Sequence, residues 1–575
     1  MPTVPSSSGA PEKDDPRPPD CRTPSALNSE LTVLEKDVPI SQSLIWGVQR
    51  EYYIQRGLKS WTEDTVPQFI TNNPLIAEIY ARIVLGFLCD CRKQAQDAPC
   101  ERSARSPLRI LELGAGTGKF AFLFLRKMEE LLTSHGIRLD TIRYCMTDCS
   151  DHLVEAWRAN PLLAEFLDRG VLEFGLLGES GQVSPRPVKT TGSQVSETTI
   201  GPLVVIANYF FDSLPHDAFS IDEGRVFEVL QTAAAISSNS SNSVPSALAS
   251  LQLSYRNVLA APGRYTEPSW KSIVEDYRER LSGATILFPS HALTTLKTIG
   301  KLTDGPMLVV TADKGYVHEQ DLLLSSNPPK FEFHAPNCFS QMVNFDALAK
   351  YFIKSGGDAL LPNRHSSSLN VCLFLQGGPA DKFPAVRSTY QEAQSNLGPD
   401  DLFALLAWLN PHMEEMSVPQ ILALLRLTRW DPTAFMRIFP VLASQIRNAS
   451  SERDDLHNAV LLTWANHFPI SEHESILAFY CGVILLELRF FHDAASMFKK
   501  SQDLSGRSAA TSYNLGLCEV GLGRLAEARA LMAEAGQHDA NFEPAHLAGR
   551  ALENASRRNV AIDMGPETIV PFRPY

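Results

Sequence analysis

The run LELGAGTG (111–118) constrains the fold of this chain more than any other feature. It ends the apolar stretch RILEL (109–113) and precedes the helical pattern KFAFLFLRKMEELL, which starts at Lys119. Glycines let a backbone come within contact distance of a ligand, and the free N–H groups of the turn and of the helix N-terminus face that ligand. The run therefore predicts a strand–turn–helix unit that cradles a ligand.

The stretch from Leu108 to about Gly377 alternates short apolar runs with helical patterns. This alternation predicts an α/β fold with a largely parallel, Rossmann-like sheet and helices on both faces. Two stretches rich in Ser, Thr and Gly or Ala, 179–200 and 231–249, are predicted to be surface insertions. The strand candidates are RILEL (109–113), IRYCMT (142–147), VLEFGL (171–176), LVVIAN (203–208), MLVVTA (307–312) and LNVCLFL (369–375).

The chain is too long, at 575 residues, to build a single core. Residues 1–40, rich in Pro, Ser and charge, are predicted to be a disordered tail. Residues 41–105 are predicted to be a helical N-terminal segment, and residues 106–378 the α/β domain. Strand signals stop after this domain, and we predict an all-helical domain over 395–560.

The helical part contains an internal repeat with a period of 34 residues. Small and large residues alternate in it as in tetratricopeptide repeats, where they let two helices pack closely. A helical bundle with chance periodicity is the alternative. The matching positions are Gly482 and Gly516, Ala494 and Ala528, Phe498 and Met532, and Ser501 and Ala535.

Composition excludes several classes of function. The net charge of −13, from 52 basic and 65 acidic residues, argues against a nucleic-acid partner. The ten cysteines are scattered without paired CxxC spacing, which favours reduced thiols over a metal site. No apolar run is long enough to span a bilayer, and the first residues lack a signal-peptide core. We therefore expect a cytoplasmic protein with no metal and no membrane partner.

The glycine spacing indicates the ligand. A dinucleotide fold needs GxGxxG, and the third position here is Lys119, so the spacing excludes a nicotinamide oxidoreductase. The actual pattern ExGxGxG resembles motif I of the Rossmann-like methyltransferases; an ordinary glycine-rich turn is the alternative. The resemblance implies S-adenosyl-L-methionine as cofactor, with Glu112 anchoring its ammonium. The turn residues expected to bind it are Gly114, Ala115, Gly116 and Gly118.

A carboxylate, Asp148, follows the next strand, 30 residues after Gly118. A nucleoside lying across the carboxyl edge of the sheet needs an acceptor for its ribose diol at this place. We expect Asp148 to supply it. A compatible interpretation is that Asp148 or Ser150 caps the helix from His152.

The fourth strand ends in ANYFFDSLP (207–215), next to the expected topological switch point. This segment resembles the NEFFDALP motif of the MidA/NDUFAF7 family. Other matching pieces are Tyr52-Tyr53, QFIT (68–71), DKGY (313–316), Phe339-Ser340 and VNF (343–345), so the resemblance spans about residues 45–376. It implies an S-adenosylmethionine-dependent methyltransferase; the best understood members act on an arginine of a respiratory-complex subunit.

On this resemblance Asn208 contacts the cofactor, and Asp212 is the candidate catalytic carboxylate. The chain departs from the family at Tyr209, where the family has Glu. Tyr209 is a second catalytic candidate, by stacking on a substrate or accepting its proton, or else it is a packed aromatic. For Asp212, a turn or capping role is the alternative. Replacements considered for the missing carboxylate are Glu63, Asp64, Asp217 and Glu228.

Two functions follow from these observations. The first is a methyltransferase acting on a protein substrate, with arginine as the candidate side chain, recruited by the helical repeats. The second is a catalytically inactive methyltransferase fold that serves as a scaffold while the repeats bind a protein partner.

Overall fold

The structure is a computed structural model that describes residues 31–62, 69–97, 107–179, 181–185, 201–236, 248–261, 263–325, 329–363, 369–396, 398–449 and 451–558. Its strands are β1 Leu31–Pro39, β2 Leu108–Leu113, β3 Ile142–Asp148, β4 Leu172–Leu177, β5 Val183–Pro185, β6 Leu203–Asn208, β7 Asp217–Asp222, β8 Arg225–Ile236, β9 Gln252–Leu259, β10 Ala284–Phe288, β11 Met307–Asp313, β12 Gly315–Tyr316, β13 Glu332–Ala335, β14 Cys338–Ser340, β15 Val343–Asn344, β16 Asp358–Leu360 and β17 Asn370–Gln376.

The helices fall into a group around the sheets and a C-terminal group. Those of the first group are α1 Leu44–Arg56, α2 Lys59–Thr62, α3 Pro74–Asp97, α4 Lys119–Ser134, α5 Asp151–Ala159, α6 Pro161–Asp168, α7 Pro268–Arg280, α8 Ser290–Gly300, α9 Phe345–Lys354 and α10 Pro384–Ser395. Those of the second are α11 Pro399–Leu409, α12 Val418–Leu427, α13 Pro432–Gln445, α14 Arg453–Ala465, α15 Leu477–Glu487, α16 Phe491–Ser505, α17 Ala509–Gly521, α18 Leu525–His538 and α19 Glu543–Arg558.

The central sheet has the strand order β16-β17-β11-β6-β2-β3-β4-β5. The five central strands of this sheet, β11, β6, β2, β3 and β4, are parallel to one another. The outer strands β17, β16 and β5 each pair antiparallel with the strand beside them. The chain moves outward from β2 through β3 to β4 and then returns to the other side of β2 as β6. The topological switch point therefore lies between β2 and β6. Each of the predicted strand candidates coincides with a strand of this sheet.

Buried side chains alternate between the two faces of the sheet, as the period of a strand requires. One face packs against α3, α4, α5, α6 and α10, and it includes Ile110 and Ile206. The other face packs against α7, α8 and α9, and it includes Leu111 and Val205. Glu112 shares the face of Ile110, and Asn208 shares the face of Ile206, so both belong to the side of the sheet that α3 and α4 cover.

A second, antiparallel sheet with the order β1-β8-β7-β10, and β9 paired to β8, was not predicted. It corrects two expectations. Residues 31–39, assigned to a disordered tail, pair with β8, and residues 231–236, assigned to an insertion, are the end of β8. Charged residues in β1 and three alanines at 233–235 in β8 lower the intrinsic strand preference of these segments. Their structure is therefore decided by pairing with distant parts of the chain. Residues 1–30, 186–200 and 237–247 lie outside the described residues.

The C-terminal region is all-helical, and the positions of the 34-residue repeat meet between its helices. A Cβ atom added at Gly482 on α15 would lie 2.8 Å from Phe498 Cε1 on α16. A Cβ atom added at Gly516 on α17 would lie 2.8 Å from Met532 Cε on α18. The glycines therefore permit the close approach of two successive helix pairs.

This helical region packs directly on the helices that flank the central sheet. The Phe468 ring packs against that of Phe122 of α4, with centroids 5.3 Å apart and the ring planes tilted by 40°. The Glu78 carboxylate on α3 lies 3.2 Å from Arg429. Lys119, which immediately follows the glycine turn, places its Nζ 3.6 Å from Glu474 Oε1. The helical region thus contacts the first residue of the helix that leaves the turn.

In the part of the chain that is described, none of the helices has the length and apolar character needed to cross a membrane.

Candidate functional site

Polar side chains from four adjacent strands meet at the carboxyl edge of the central sheet. Glu112 precedes the end of β2, and Asp148, Asn208 and Asp313 end β3, β6 and β11. The register brings them level, because Leu113 pairs with Thr147 on one side and Ala207 on the other, while Ala312 pairs with Asn208. This edge contains the switch point, where ligands of open α/β sheets bind.

The glycine turn has the conformation that its sequence predicts. Gly114, Gly116 and Gly118 have φ angles of 69°, 52° and 82°, a region that other residues rarely adopt. A Cβ atom at Gly118 would also lie 2.8 Å from Met146 Cε. Ala115 lies between the glycines, and its N–H donates to Thr147 O at 2.9 Å. The strand, the turn and the start of α4 therefore form the unit expected from the sequence.

The N–H groups of the turn correct one detail of the expectation. They were predicted to face a ligand, but those of Ala115, Gly116 and Gly118 donate to groups of the protein. Two aromatic rings also lie against the turn. A Cβ atom at Gly114 would lie 3.1 Å from Phe210 Cδ2, and one at Gly116 would lie 3.2 Å from Trp61 Cζ2. The turn thus has the positive φ angles that glycine permits, and aromatic side chains cover its backbone at Gly114 and Gly116.

Glu112 is a buried carboxyl group with unused bonding capacity. It is 5% exposed, and its Oε2 makes no hydrogen bond of good geometry among the described residues, as is also true of the neighbouring Tyr144 hydroxyl. Burial raises the pKa of Glu112 to about 8, opposed by the interaction with Tyr144. Native proteins rarely leave a buried carboxyl oxygen without a partner. A bound cation would supply that partner, so the site fits the ammonium group of S-adenosylmethionine.

Asp148 joins the end of β3 to the glycine turn. Its Oδ2 accepts the Gly116 N–H at 3.0 Å, and its Oδ1 accepts the Cys149 N–H at 2.7 Å. Burial nevertheless raises the pKa of Asp148, opposed by these two bonds. Helix α5 begins at Asp151 with Ser150 as its N-cap residue, and no side-chain oxygen caps it. Ser150 therefore has the N-cap position that one interpretation gave it, but neither its side chain nor that of Asp148 caps the helix. Each Asp148 oxygen retains a lone pair for a ribose hydroxyl.

Asn208 is held by a residue that the sequence analysis missed. The Tyr80 hydroxyl on α3 donates to Asn208 Oδ1 at 2.6 Å. The Asn208 Nδ2 atom is buried, and among the described residues it finds no acceptor. The carboxamide is therefore fixed in orientation and has donor capacity left over on the side of the sheet that Glu112 shares.

Two carboxyl groups, Asp212 and Asp313, lie together after β6 and β11. Asp212 is 6% exposed, and burial raises its pKa to about 7, opposed by the charge of Lys314. Asp313 is fully buried, and burial and the Asp212 charge raise its pKa well above the usual range. Its Oδ2 accepts the N–H groups of Phe210 and Phe211, at 3.3 and 3.0 Å. Two such buried carboxyls do not both ionise at neutral pH, so the pair holds a proton.

Tyr209 has a strained backbone and a packed ring. Its φ angle is 48°, in a region costly for an aromatic residue, and its N–H donates to Ala312 O at 3.0 Å. The half-buried ring packs against the hydrophobic core on the α3 and α4 side of the sheet. Backbone strain of this kind concentrates at functional sites, whereas the position of the ring agrees with the packed aromatic alternative.

Helix α1 and helix α2 cross over this edge of the sheet. The Tyr53 hydroxyl lies 3.0 Å from Cys338 Sγ, and its ring lies 6.0 Å from that of Trp61. Of the residues that the sequence analysis did not assign to the site, Tyr53 stood in a family-like dipeptide, and Asp313 followed the predicted strand 307–312 as the first residue of the family-like DKGY segment. Trp61 and Tyr80 had no signal, because their roles depend on contacts between distant parts of the chain.

Other sequence candidates lie elsewhere. Asp217 and Glu228 accept from Arg264 at 3.1 and 2.8 Å in the second sheet, so their consideration as a catalytic partner of Asp212 was wrong. Glu63 and Asp64 lie outside the described residues. Over the described ranges no group of three or more His, Cys, Asp or Glu could hold a metal ion. A surface cleft of about 560 Å³ opens at the amino ends of β3 and β4, away from these carboxyls.

A comparison with known protein families finds a match for part of the chain. Residues 92–327 match the model of a family described as "Putative S-adenosyl-L-methionine-dependent methyltransferase". Among curated proteins, none matches the chain. The description of the matched family names S-adenosyl-L-methionine, the same cofactor that the resemblance of the ExGxGxG pattern to motif I implies.

Three solved structures from Burkholderia thailandensis are similar to parts of the chain. One, described as a "likely methyl transferase" bound to S-adenosyl-homocysteine, is 15% identical, covers 60% of this chain and 90% of its own, and has a TM-score of 0.37. An uncharacterized protein of the same superfamily has the same identity and coverage and a TM-score of 0.35. An O-methyltransferase family protein is 10% identical, covers 58% and 72%, and has a TM-score of 0.22. The support for a methyltransferase therefore comes from the family match.

Proposed function

We propose that this chain is an S-adenosylmethionine-dependent methyltransferase whose site lies at the carboxyl edge of β11, β6, β2 and β3. The observation that carries the proposal is the buried Glu112 carboxyl beside a glycine turn at the switch point; its Oε2 makes no hydrogen bond of good geometry among the described residues, and Tyr144 is its polar neighbour. A scaffold with no cationic ligand would gain stability by replacing this group with an apolar residue.

The residues of the edge suit different parts of the cofactor. When bound, S-adenosylmethionine would supply a methyl group already activated on a sulfonium. Glu112 would accept from the ammonium and ionise, Asp148 would accept from the ribose hydroxyls, and Asn208 Nδ2 would donate from the end of β6. The turn from Gly114 to Gly118 would set how closely the backbone approaches.

The carboxyl pair would serve the methyl acceptor. At neutral pH, Asp212 and Asp313 share a proton, so one ionised oxygen is available to orient a nitrogen and take up its proton. We propose a protein side chain as acceptor, with arginine as the candidate. A guanidinium keeps its proton up to pH values above about 12, so it needs a carboxylate to orient and deprotonate it. Asp313 would supply the second acidic group that the chain lacks at Tyr209.

The helical region would recruit the protein substrate. The support is the contact of Gly482 with Phe498 and of Gly516 with Met532, which repeats at the period of a tetratricopeptide array. Such arrays expose an extended concave surface to partners. We propose the domain limits 41–105, 106–378 and 395–560 for the helical segment, the methyltransferase domain and the repeats.

Calorimetry tests the cofactor. The full chain is titrated with S-adenosylmethionine, S-adenosylhomocysteine and NAD, and saturable heat is expected from the two sulfur compounds alone. Heat from neither would overturn the proposal. Transfer of a labelled methyl group into proteins of a lysate from a deletion strain then identifies the acceptor, and a labelled small molecule in place of protein would contradict the protein-substrate part.

A second candidate is a methyltransferase fold that binds a protein partner without turnover. The packing of the Tyr209 ring in the core, where the family has Glu, favours it. Cofactor binding without methyl transfer to any lysate protein would support this alternative over the enzyme.

A further inference from the structure

Trp61 of α2 lies directly on the glycine turn. A Cβ atom added at Gly116 would be 3.2 Å from Trp61 Cζ2 and 3.3 Å from Cε2. The indole therefore packs on the Gly116 backbone so closely that even a Cβ atom would require the ring to move by a few tenths of an ångström. Gly116 is also fixed from two other elements, because its N–H donates to Asp148 Oδ2 and its carbonyl accepts from Trp157 Nε1 at 2.9 Å.

The position of Trp61 is set by contacts that are independent of the turn. Gly57, with a φ angle of 51°, ends α1 and lets the chain reverse into α2. The Tyr53 ring lies 6.0 Å from the Trp61 ring. The Ser150 hydroxyl, just beyond β3, donates to Ile54 O at 3.2 Å and so anchors α1 to the carboxyl edge. These contacts hold the indole over the edge of the sheet rather than in the surrounding solvent.

Helix α1 brings further groups to both halves of the edge. The positive charge of Arg50 lowers the pKa of Asp148, against the larger raising effect of burial. On the other side, burial and then Cys338 raise the pKa of the Tyr53 phenol, and the Asp212 carboxyl is near enough to raise it further. The α1–α2 segment therefore spans from the proposed ribose acceptor to the proposed catalytic carboxyl.

We propose that Trp61 is a cofactor-contacting residue and that its indole forms the wall of the S-adenosylmethionine site beside Gly116. This inference rests on the proposed function. An aromatic face next to a glycine turn suits a ligand that carries both a flat nucleobase and a sulfonium cation, since aromatic rings attract both. The segment from Tyr53 to Trp61 is thus part of the site, although it lies far before the glycine turn in the sequence.

The test compares Trp61→Ala and Trp61→Phe with the unaltered chain by calorimetry. Trp61→Ala is expected to weaken S-adenosylhomocysteine binding about tenfold, and Trp61→Phe less than about threefold. Trp408→Phe is the matched control, because Trp408 is 64% exposed in the helical region. A larger loss for S-adenosylmethionine than for S-adenosylhomocysteine assigns the contact to the sulfonium, and equal losses assign it to the nucleoside; both support the inference. Affinity of Trp61→Ala within twofold of the unaltered chain, or tighter, overturns it.

Tryptophan fluorescence gives a second measurement in case Trp61→Ala does not fold. Binding of S-adenosylhomocysteine is expected to change the emission of the unaltered chain and of Trp408→Phe, and at least half of this change should be absent in Trp61→Phe. An undiminished change in Trp61→Phe overturns the inference. If the unaltered chain binds neither sulfur compound, the proposed function fails; if it binds and Trp61→Ala binds equally well, the inference alone fails.

Discussion

Gly116 donates its backbone N–H to Asp148 Oδ2 at 3.0 Å, and this bond ties the turn after β2 to the end of β3. The same carboxylate that is expected to hold the ribose thus also holds the turn in shape. Cofactor binding and turn geometry are therefore coupled through one side chain.

Replacement of Asp148 should separate these two roles. Asp148→Ala removes the acceptor of the Gly116 N–H and the ribose acceptor, and should weaken S-adenosylhomocysteine binding about 100-fold. Asp148→Asn keeps an oxygen for the Gly116 N–H but loses the charge, and should cost about tenfold. Calorimetry measures both. Equal affinity for Asp148→Ala and the unaltered chain would show that the ribose lies elsewhere.

A side chain at Gly116 should abolish cofactor binding. Gly116→Arg would drive a side chain into Trp61 and fill the space beside the turn. Gly136→Arg is the matched control, since Gly136 has a similar φ angle of 65° with nothing within 4 Å of an added Cβ atom. Both variants place a side chain at a positive φ angle and add the same charge. Loss of binding in Gly136→Arg as well would attribute the effect to instability rather than to the site.

Cofactor binding should release a proton from the Glu112 carboxyl. Its pKa of about 8 in the ligand-free chain leaves the carboxyl protonated at pH 6.5. An ammonium bound against it favours the ionised form, so its pKa falls and a proton leaves. Titrations in buffers with different ionisation heats should show release of close to one proton at pH 6.5, and affinity should rise with pH toward 8. In Glu112→Gln the release should disappear; release that persisted there would assign the proton to another group.

The same group should affect stability without ligand. The pKa of Glu112 is raised on folding, from 4.5 to about 8, so the unfolded chain binds fewer protons between these values. Its contribution to the free energy of unfolding therefore falls by up to about 1.4 kcal/mol per pH unit as pH rises from about 5 to 8. Chemical denaturation at several pH values measures this fall, which Glu112→Gln should flatten. A slope unchanged by that substitution would contradict the burial of an ionisable carboxyl.

Asp212 should act in transfer and not in cofactor binding. Asp212→Asn is expected to keep S-adenosylhomocysteine affinity within about threefold and to lower methyl transfer by about 100-fold or more, the usual effect of losing a general base. The measurement is labelled methyl transfer at saturating cofactor. Activity equal to that of the unaltered chain would show that Asp212 is structural.

The glycines of the repeat should matter for stability. Gly482→Ala places a Cβ atom 2.8 Å from Phe498 and should lower the free energy of unfolding by about 1–3 kcal/mol. Gly549→Ala, whose Cβ atom would lie 3.9 Å from Met532, is the control and should be neutral or stabilising because Ala favours helix. Urea denaturation followed by circular dichroism measures both. Equal stability of the two variants would contradict the close helix pairing.

Much of the sheet edge could be predicted from sequence because it depends on local pattern. Buried parallel strands give continuous apolar runs, and their carboxyl ends place Glu112, Asp148 and Asn208 together once the order of strands is known. The antiparallel sheet could not be predicted, since Ala233 and its neighbours form a strand only by pairing with β1. Trp61 reaches Gly116 only through the reversal at Gly57, and the proximity of Asp212 to Asp313 depends on strands about 100 residues apart.

The most direct test of the account is a crystal structure of the chain grown with S-adenosylhomocysteine. We expect the ligand to lie along residues 114–118, with its amino group against Glu112 and its sugar against Asp148. A ligand bound at another place, or a turn still filled by Trp61 and Phe210 with no ligand beside it at saturating concentration, would contradict the account.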